Sequence, residues 1–127
     1  MKEISEFIRK HWKECSDWPD DKFLPWVEWN VGNGHCVVIT EEGKVAGVAF
    51  ARMVDDLTVH VDLAVGRSKS VLRALFTAGW YKFGRTKKWI SWDRGKHGNR
   101  VVKKAMMDVA KKLMLRNGQK TKTTGNA

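Results

Sequence analysis

Cysteine, long apolar runs and acidic residues beyond position 65 are all scarce in this 127-residue chain. The two cysteines, Cys15 and Cys36, have neither the spacing of a metal site nor that of a redox motif. They read as free thiols in a reducing compartment. His11, His35 and His97 have no cysteine or acid at ligand spacing, so no metal site is expected. The apolar runs are short, Val45 to Ala51 among the longest, and none suffices to span a membrane. The N-terminus reads Met-Lys-Glu-Ile-Ser-Glu, with acids where a secretion signal needs a positive region and an apolar stretch. The expected location is therefore cytoplasmic. No Walker loop, nucleophile elbow or aromatic RNA-binding signature occurs.

What the chain does have is charge, unevenly placed. The formal net charge is +10. Residues 1–65 hold 7 Lys/Arg against 12 Asp/Glu, whereas residues 66–127 hold 17 Lys/Arg against only Asp93 and Asp108. A second half so poor in acids points to a polyanionic ligand: a CoA-type nucleotide, nucleic acid or another phosphate-bearing partner. The competing reading is a solvated basic surface. With 43% hydrophobic residues and 30% charged, the chain has a globular balance, expected as one domain over 1–118 with a polar tail at 119–127.

Periodicity gives the element order. Ile4, Phe7, Ile8, Trp12 and Cys15 predict a helix over 3–15. A break at 16–21 offers Asp20 or Asp21 as cap for a second helix through about Trp29, with Pro25 near its start. Strands follow at 35–40 and 44–53, joined by Glu41-Glu42-Gly43, and a third at 58–65. In that third strand Val59, Val61, Leu63 and Val65 alternate with Thr58, His60, Asp62 and Ala64 without a fault. A helix from about Ser70 to Phe83 comes next, then a strand at 89–92 and a glycine-bracketed polar loop at 93–98. Asn99 is expected to cap a last helix on Val101, Val102, Ala105, Met106 and Val109. The expected fold class is α/β (α+β): a three-stranded antiparallel meander followed by β-α-β-α, a mixed sheet flanked by helices, with the β-α-β strands parallel.

This order resembles the core of the GNAT family of N-acetyltransferases. The resemblance is carried by Val59–Leu75, which looks like the family's apolar strand, phosphate loop and following helix. It is carried also by Gly43-Lys44-Val45-Ala46-Gly47 in the hairpin, and by Asn99 before the last helix. It implies acetyl-CoA as cofactor, with its diphosphate on a nest of backbone N–H groups at a helix start. The implied cofactor-binding residues are Val65, Arg67, Ser68, Lys69, Ser70, Val71, Leu72 and Asn99. In the family pattern Gln/Arg-x-x-Gly-x-Gly/Ala, Arg67 matches, Ser70 replaces the first glycine and Leu72 the second. The family's first strand has no counterpart before Ile4, nor its last strands one after the final expected helix. Its usual last-helix tyrosine is missing; the sole tyrosine, Tyr81, falls on the preceding helix.

A transfer of this kind needs a base, and His60 and Asp62, two apart on one strand face, are the candidates. The competing reading is a solvated polar face. Glu28 is a weaker candidate, and the loop 93–100 a second anion site at the C-terminal end of a strand. Of seven tryptophans, Trp18, Trp26 and Trp29 cluster at 18–29, where they either pack in the core or form a surface for a protein partner. Three functions stay open: an acetyl-CoA-dependent N-acetyltransferase, a GNAT-like domain without catalysis serving as a structural or interaction protein (a phage-like particle component, for instance), and a basic nucleic-acid-binding module.

Overall fold

The computed structural model describes residues 1–84, 87–94 and 100–115. Helix α1, Lys2–His11, turns Ile8 fully inward. It is shorter than its apolar stripe predicts. Trp12 is extended, and a separate 3-10 turn at Lys13–Cys15 follows, which buries Cys15 completely. Helix α2, Asp20–Gly32, starts after Pro19 rather than at an aspartate cap and runs past Trp29. Asp20 instead takes the Arg9 guanidinium at 2.8 Å, tying the two helices together.

Three antiparallel strands follow as expected: β1, Cys36–Glu41; β2, Lys44–Asp55; and β3, Thr58–Gly66. Glu41 pairs with Lys44, so the first hairpin turns on Glu42 and Gly43, both at positive φ (53° and 77°). That pair of left-handed residues matches the twist of the flanking strands, and glycine at the second site removes the strain. Helix α3, Lys69–Gly79, is capped by Ser68 and continues as one wider turn at Trp80–Gly84. Strand β4, Trp89–Arg94, lies parallel to β3, from Thr58 opposite Trp89 to Val61 opposite Trp92.

The end of the chain departs from its periodicity. Residues 100–105, expected as helix, form strand β5, Arg100–Ala105, in a six-pair antiparallel ladder with β4. Helix α4 begins only at Met106, spans Met106–Ala110 and loosens into a wider turn at Lys111–Leu115. The β-branched pair Val101–Val102 favours a strand. The free edge of β4 needs backbone partners, and a lysine-rich β5 suits the outermost position. The 93–98 loop, Asn99 and the 119–127 tail fall wholly or partly outside the described residues.

The five-stranded sheet, in the order β1-β2-β3-β4-β5, is covered on both faces. On one, Ile8, Phe23 and Val27 of α1 and α2 pack with Val48, Phe50, Leu63 and Val65. On the other, Val71 and Leu75 of α3 pack on Val37, Ala46 and Ala49, while Phe76 and Met106 meet Ala51, Val59 and Ile90. Packing of α3 on β2 is so close that a Cβ at Gly47 would lie 2.5 Å from Val71 Cγ1 and 3.0 Å from Leu75 Cδ1. Trp12 and Trp26 stack at 5.7 Å, Trp18 meets Trp26 edge-on at 5.3 Å, and Trp26 meets Phe50 at 5.2 Å. Trp29 is exposed and touches His35 edge-on.

Strand β3 does not alternate without a fault. Phe50 pairs with Leu63 and Ala51 with Val61, which leaves Asp62 as an extra residue, a β-bulge. Val59 and Val61 therefore belong to the α3 face, but Leu63 and Val65 to the α1/α2 face. Hydrophobic identity alone hides the switch, because both faces are buried and valine and leucine suit either.

Candidate functional site

The bulge at Asp62 coincides with the point where β3 and β4 part. Their pairing ends at Val61–Trp92, although β3 continues to Gly66. A bulge bends and twists its strand, so beyond Val61 the β4 side of β3 opens into a wedge. At the far end of β3 stands the start of α3.

A polar cluster sits at the crotch of this wedge. His60 and Ser91 face each other in the β3–β4 register, with Nδ1 2.8 Å from Ser91 Oγ. His60 Nε2 is 3.2 Å from Asp93 Oδ2 and 3.7 Å from Asp62 Oδ1. Arg52, opposite His60 on β2, grips Asp62 with two bonds, Nε to Oδ2 at 2.9 Å and a terminal nitrogen to Oδ1 at 3.3 Å. This two-pronged pairing fixes the Asp62 carboxylate. The His60 side chain is 9% exposed and that of Asp62 17%, against 42% for Asp93, so Asp93 is the outermost acceptor. Strand alternation places His60 and Asp62 together, as expected. Missing from the candidates were Arg52 and Ser91, and Asp93 entered only as part of the 93–100 loop expected to bind an anion. The parallel pairing of β3 with β4 was the signal that could have found the last two: once Val61 aligns with Trp92, Ser91 and Asp93 share the face of His60.

Ligand atoms of His60, Asp62 and Asp93 all lie within 4.8 Å of one another, close enough to share a cation among the described residues. Arg52 already neutralises one of the two carboxylates.

The loop into α3 has a mixed character. Ser68 Oγ accepts from the Val71 N–H at 3.2 Å, and the Arg67 N–H is spent on the Ala46 carbonyl. In the first turn of α3 the Lys69 and Ser70 N–H groups have no intrahelical acceptor, as at any helix start. They point the positive end of the helix outward, next to exposed Ser68, Lys69 and Ser70. The Arg67 guanidinium pairs with Glu41 at 3.2 Å, both half-exposed. Val65 and Val71 are buried in opposite core layers, while Leu72 is 40% exposed. Glu28 is exposed on α2, and among the described residues no hydrogen bond or ion pair joins it to the cluster.

Both thiols are pushed above their ordinary range, mainly by burial, Arg9 partly opposing this at Cys15 and Lys82 at Cys36. No helix among the described residues is long and apolar enough to cross a membrane.

Two solved structures share this fold. The aminoglycoside 6'-N-acetyltransferase from Enterococcus faecium superposes with a TM-score of 0.57 at 14% identity, over 72% of this chain and 53% of that one. The diaminobutyrate acetyltransferase from Paenibacillus lautus, in complex with L-2,4-diaminobutyric acid and coenzyme A, has the same TM-score at 16% identity, over 94% and 69%. The fold is GNAT-like. At these identities the likeness establishes architecture alone, and the chain spans about half the length of the E. faecium enzyme. No family model and no curated protein matches the sequence.

Proposed function

We propose that this GNAT-like domain is an N-acyltransferase, with acetyl-CoA or a related thioester as donor and an amine as acceptor. The observation that carries this reading is the Asp62 bulge: it opens the wedge between β3 and β4 beside a charged cluster, with an open helix start at the end of the same strand.

The residues present fit such a cofactor. The Lys69 and Ser70 N–H groups, the Ser68 and Ser70 hydroxyls and the Lys69 ammonium would hold a diphosphate. The β4 side of Leu63–Val65, where the ladder has ended, offers backbone groups to the amides of an extended arm. Bound, the cofactor supplies an activated acyl group as a thioester. The chain's own part is to bring and deprotonate the amine. Asp62 and Asp93 draw an ammonium group to the crotch, and Asp93, the exposed member, takes its proton. His60 Nε2, 3.2 Å away, shares that proton, and Ser91 holds the ring from the other side. Asp62, gripped by Arg52, positions the cluster and keeps His60 between two carboxylates.

One observation favours a second reading, a GNAT-like domain without catalysis: Arg67, the residue matching the phosphate-loop motif, is paired with Glu41. Calorimetry and thermal shift with acetyl-CoA separate the two. Transfer chemistry requires a melting-point rise and a saturable heat; neither signal at millimolar acetyl-CoA would leave the fold and end the enzyme reading.

A further inference from the structure

Behind the crotch, on the face covered by α3, lies an apolar cavity of about 210 Å³. Its walls include Ala51, Val59, Phe76, Ile90 and Met106, and no charged side chain among the described residues lines it. Leu75, Phe76, Gly79 and Phe83 lie on the inward side of α3 and its last turn, and they line the space together with the exposed Leu72. All but Gly79 are large. A Cβ at Gly79 would meet nothing within 4 Å. Glycine inside a helix is itself unfavourable, and here it also leaves the packing unfilled. Two costs fall on one residue of a face that otherwise packs to the usual rule.

The cavity reaches the strand that carries the proposed reaction centre. Val61, the last β3 residue paired to β4, and Ala64, beyond the bulge, both line it. His60 and Asp62 flank Val61 in sequence and carry the polar cluster on the opposite face. A carbonyl carbon at the crotch would have charged groups on one face of β3 and the apolar chamber behind Val61 and Ala64 on the other.

We propose that this cavity receives the hydrocarbon tail of the acyl group, making the donor a medium-chain acyl thioester of CoA rather than acetyl-CoA. The proposal rests on the acyltransferase reading. An apolar cavity of about 150 Å³ takes up benzene, so this one holds a tail of roughly eight carbons. The reaction is unchanged in kind. Asp93 takes one proton from the ammonium, the freed amine nitrogen bonds to the carbonyl carbon, the carbon–sulfur bond breaks, and a second proton from that nitrogen passes to the departing thiolate, which leaves as free CoA.

The test is calorimetric titration of the full chain with CoA thioesters of two, four, six, eight and twelve carbons. Each buried methylene is worth at most about fourfold in affinity. Octanoyl-CoA is therefore expected to bind at least tenfold tighter than acetyl-CoA, with no further gain at twelve carbons. Gly79→Leu fills the chamber from the helix and Ala51→Leu from the sheet, so one remains if the other fails to fold. In either, the octanoyl-to-acetyl affinity ratio is expected to fall towards one. Equal affinity for the two thioesters in the unaltered protein overturns the chain-length proposal and leaves the acyltransferase reading standing. A ratio that survives both substitutions overturns the cavity as its cause, and no binding of any thioester overturns both readings.

Discussion

His60 and Ser91 meet across the parallel β3–β4 pair, in register, with the imidazole Nδ1 2.8 Å from the hydroxyl. Both residues are buried, so water does not readily replace the contact. Ser91→Ala leaves Nδ1 without its partner, at a cost of about 1–3 kcal/mol. Urea unfolding should show that loss as a lower midpoint with an unchanged slope. A midpoint equal to that of the parent protein would mean that Nδ1 is satisfied elsewhere.

Asp62 and Asp93 are both carboxylates beside His60 but have different tasks. Asp93→Asn should lower the turnover of acyl transfer about 10²- to 10⁴-fold with little change in melting temperature. Asp62→Asn should act first on stability, because Arg52 loses a two-pronged charged partner. A turnover assay paired with thermal denaturation of both variants separates these roles. If Asp62→Asn alone abolished turnover with stability intact, the two assignments would have to be exchanged.

How far these roles were legible in the sequence depended on what each residue had to distinguish. The β1–β2 hairpin was readable because Glu42-Gly43 permits one tight turn and little else. His60 and Asp62 fell on one face by simple alternation. The bulge between Val61 and Leu63 was not readable, since a strand buried on both faces carries apolar side chains on either side of the slip. Val101, Val102, Ala105 and Met106 fit a helical spacing that tertiary pairing overrode: the open edge of β4 recruited the stretch up to Ala105 as β5. Arg52 escaped notice because its partner lies 10 residues away and only strand register brings them together.

Arg67 is held by Glu41 at 3.2 Å on the surface. Exposed pairs contribute little to stability, so Glu41→Gln should leave the melting temperature nearly unchanged while freeing the guanidinium for phosphate. CoA binding would then tighten, and Arg67→Ala would weaken it. Titration of CoA against both variants checks the direction. Should Glu41→Gln weaken binding, Glu41 would be placing Arg67 rather than occupying it.

Gly47 allows α3 to lie against β2. A side chain there collides with Val71 and Leu75, both buried, and neither can swing into solvent. Gly47→Val should cost at least about 1–3 kcal/mol, the usual range for overpacking, visible as a fall in melting temperature. Pairing it with Val71→Ala should recover part of the loss, since the nearest obstructing atom is removed. Additive losses in the pair would show that backbone strain, rather than that contact, is responsible.

The β2–β3 turn provides a test of pH dependence. Asp55 Oδ1 accepts the Leu57 N–H at 2.8 Å, and this bond holds the carboxyl below its ordinary range. Folding thus favours the ionised form. The resulting stabilisation is complete above the unfolded-state value, about 3.9 for aspartate, and is lost as pH falls through the lower folded-state value. Asp55→Asn keeps an oxygen for the turn but removes the charge. Melting temperatures of the two proteins should differ at pH 6 to 7 and converge as the pH drops below about 4, because protonated Asp55 resembles the amide. A gap that stayed constant down to the acid limit would mean that the substituted amide perturbs the turn by its shape, and that ionisation of Asp55 contributes nothing to the fold.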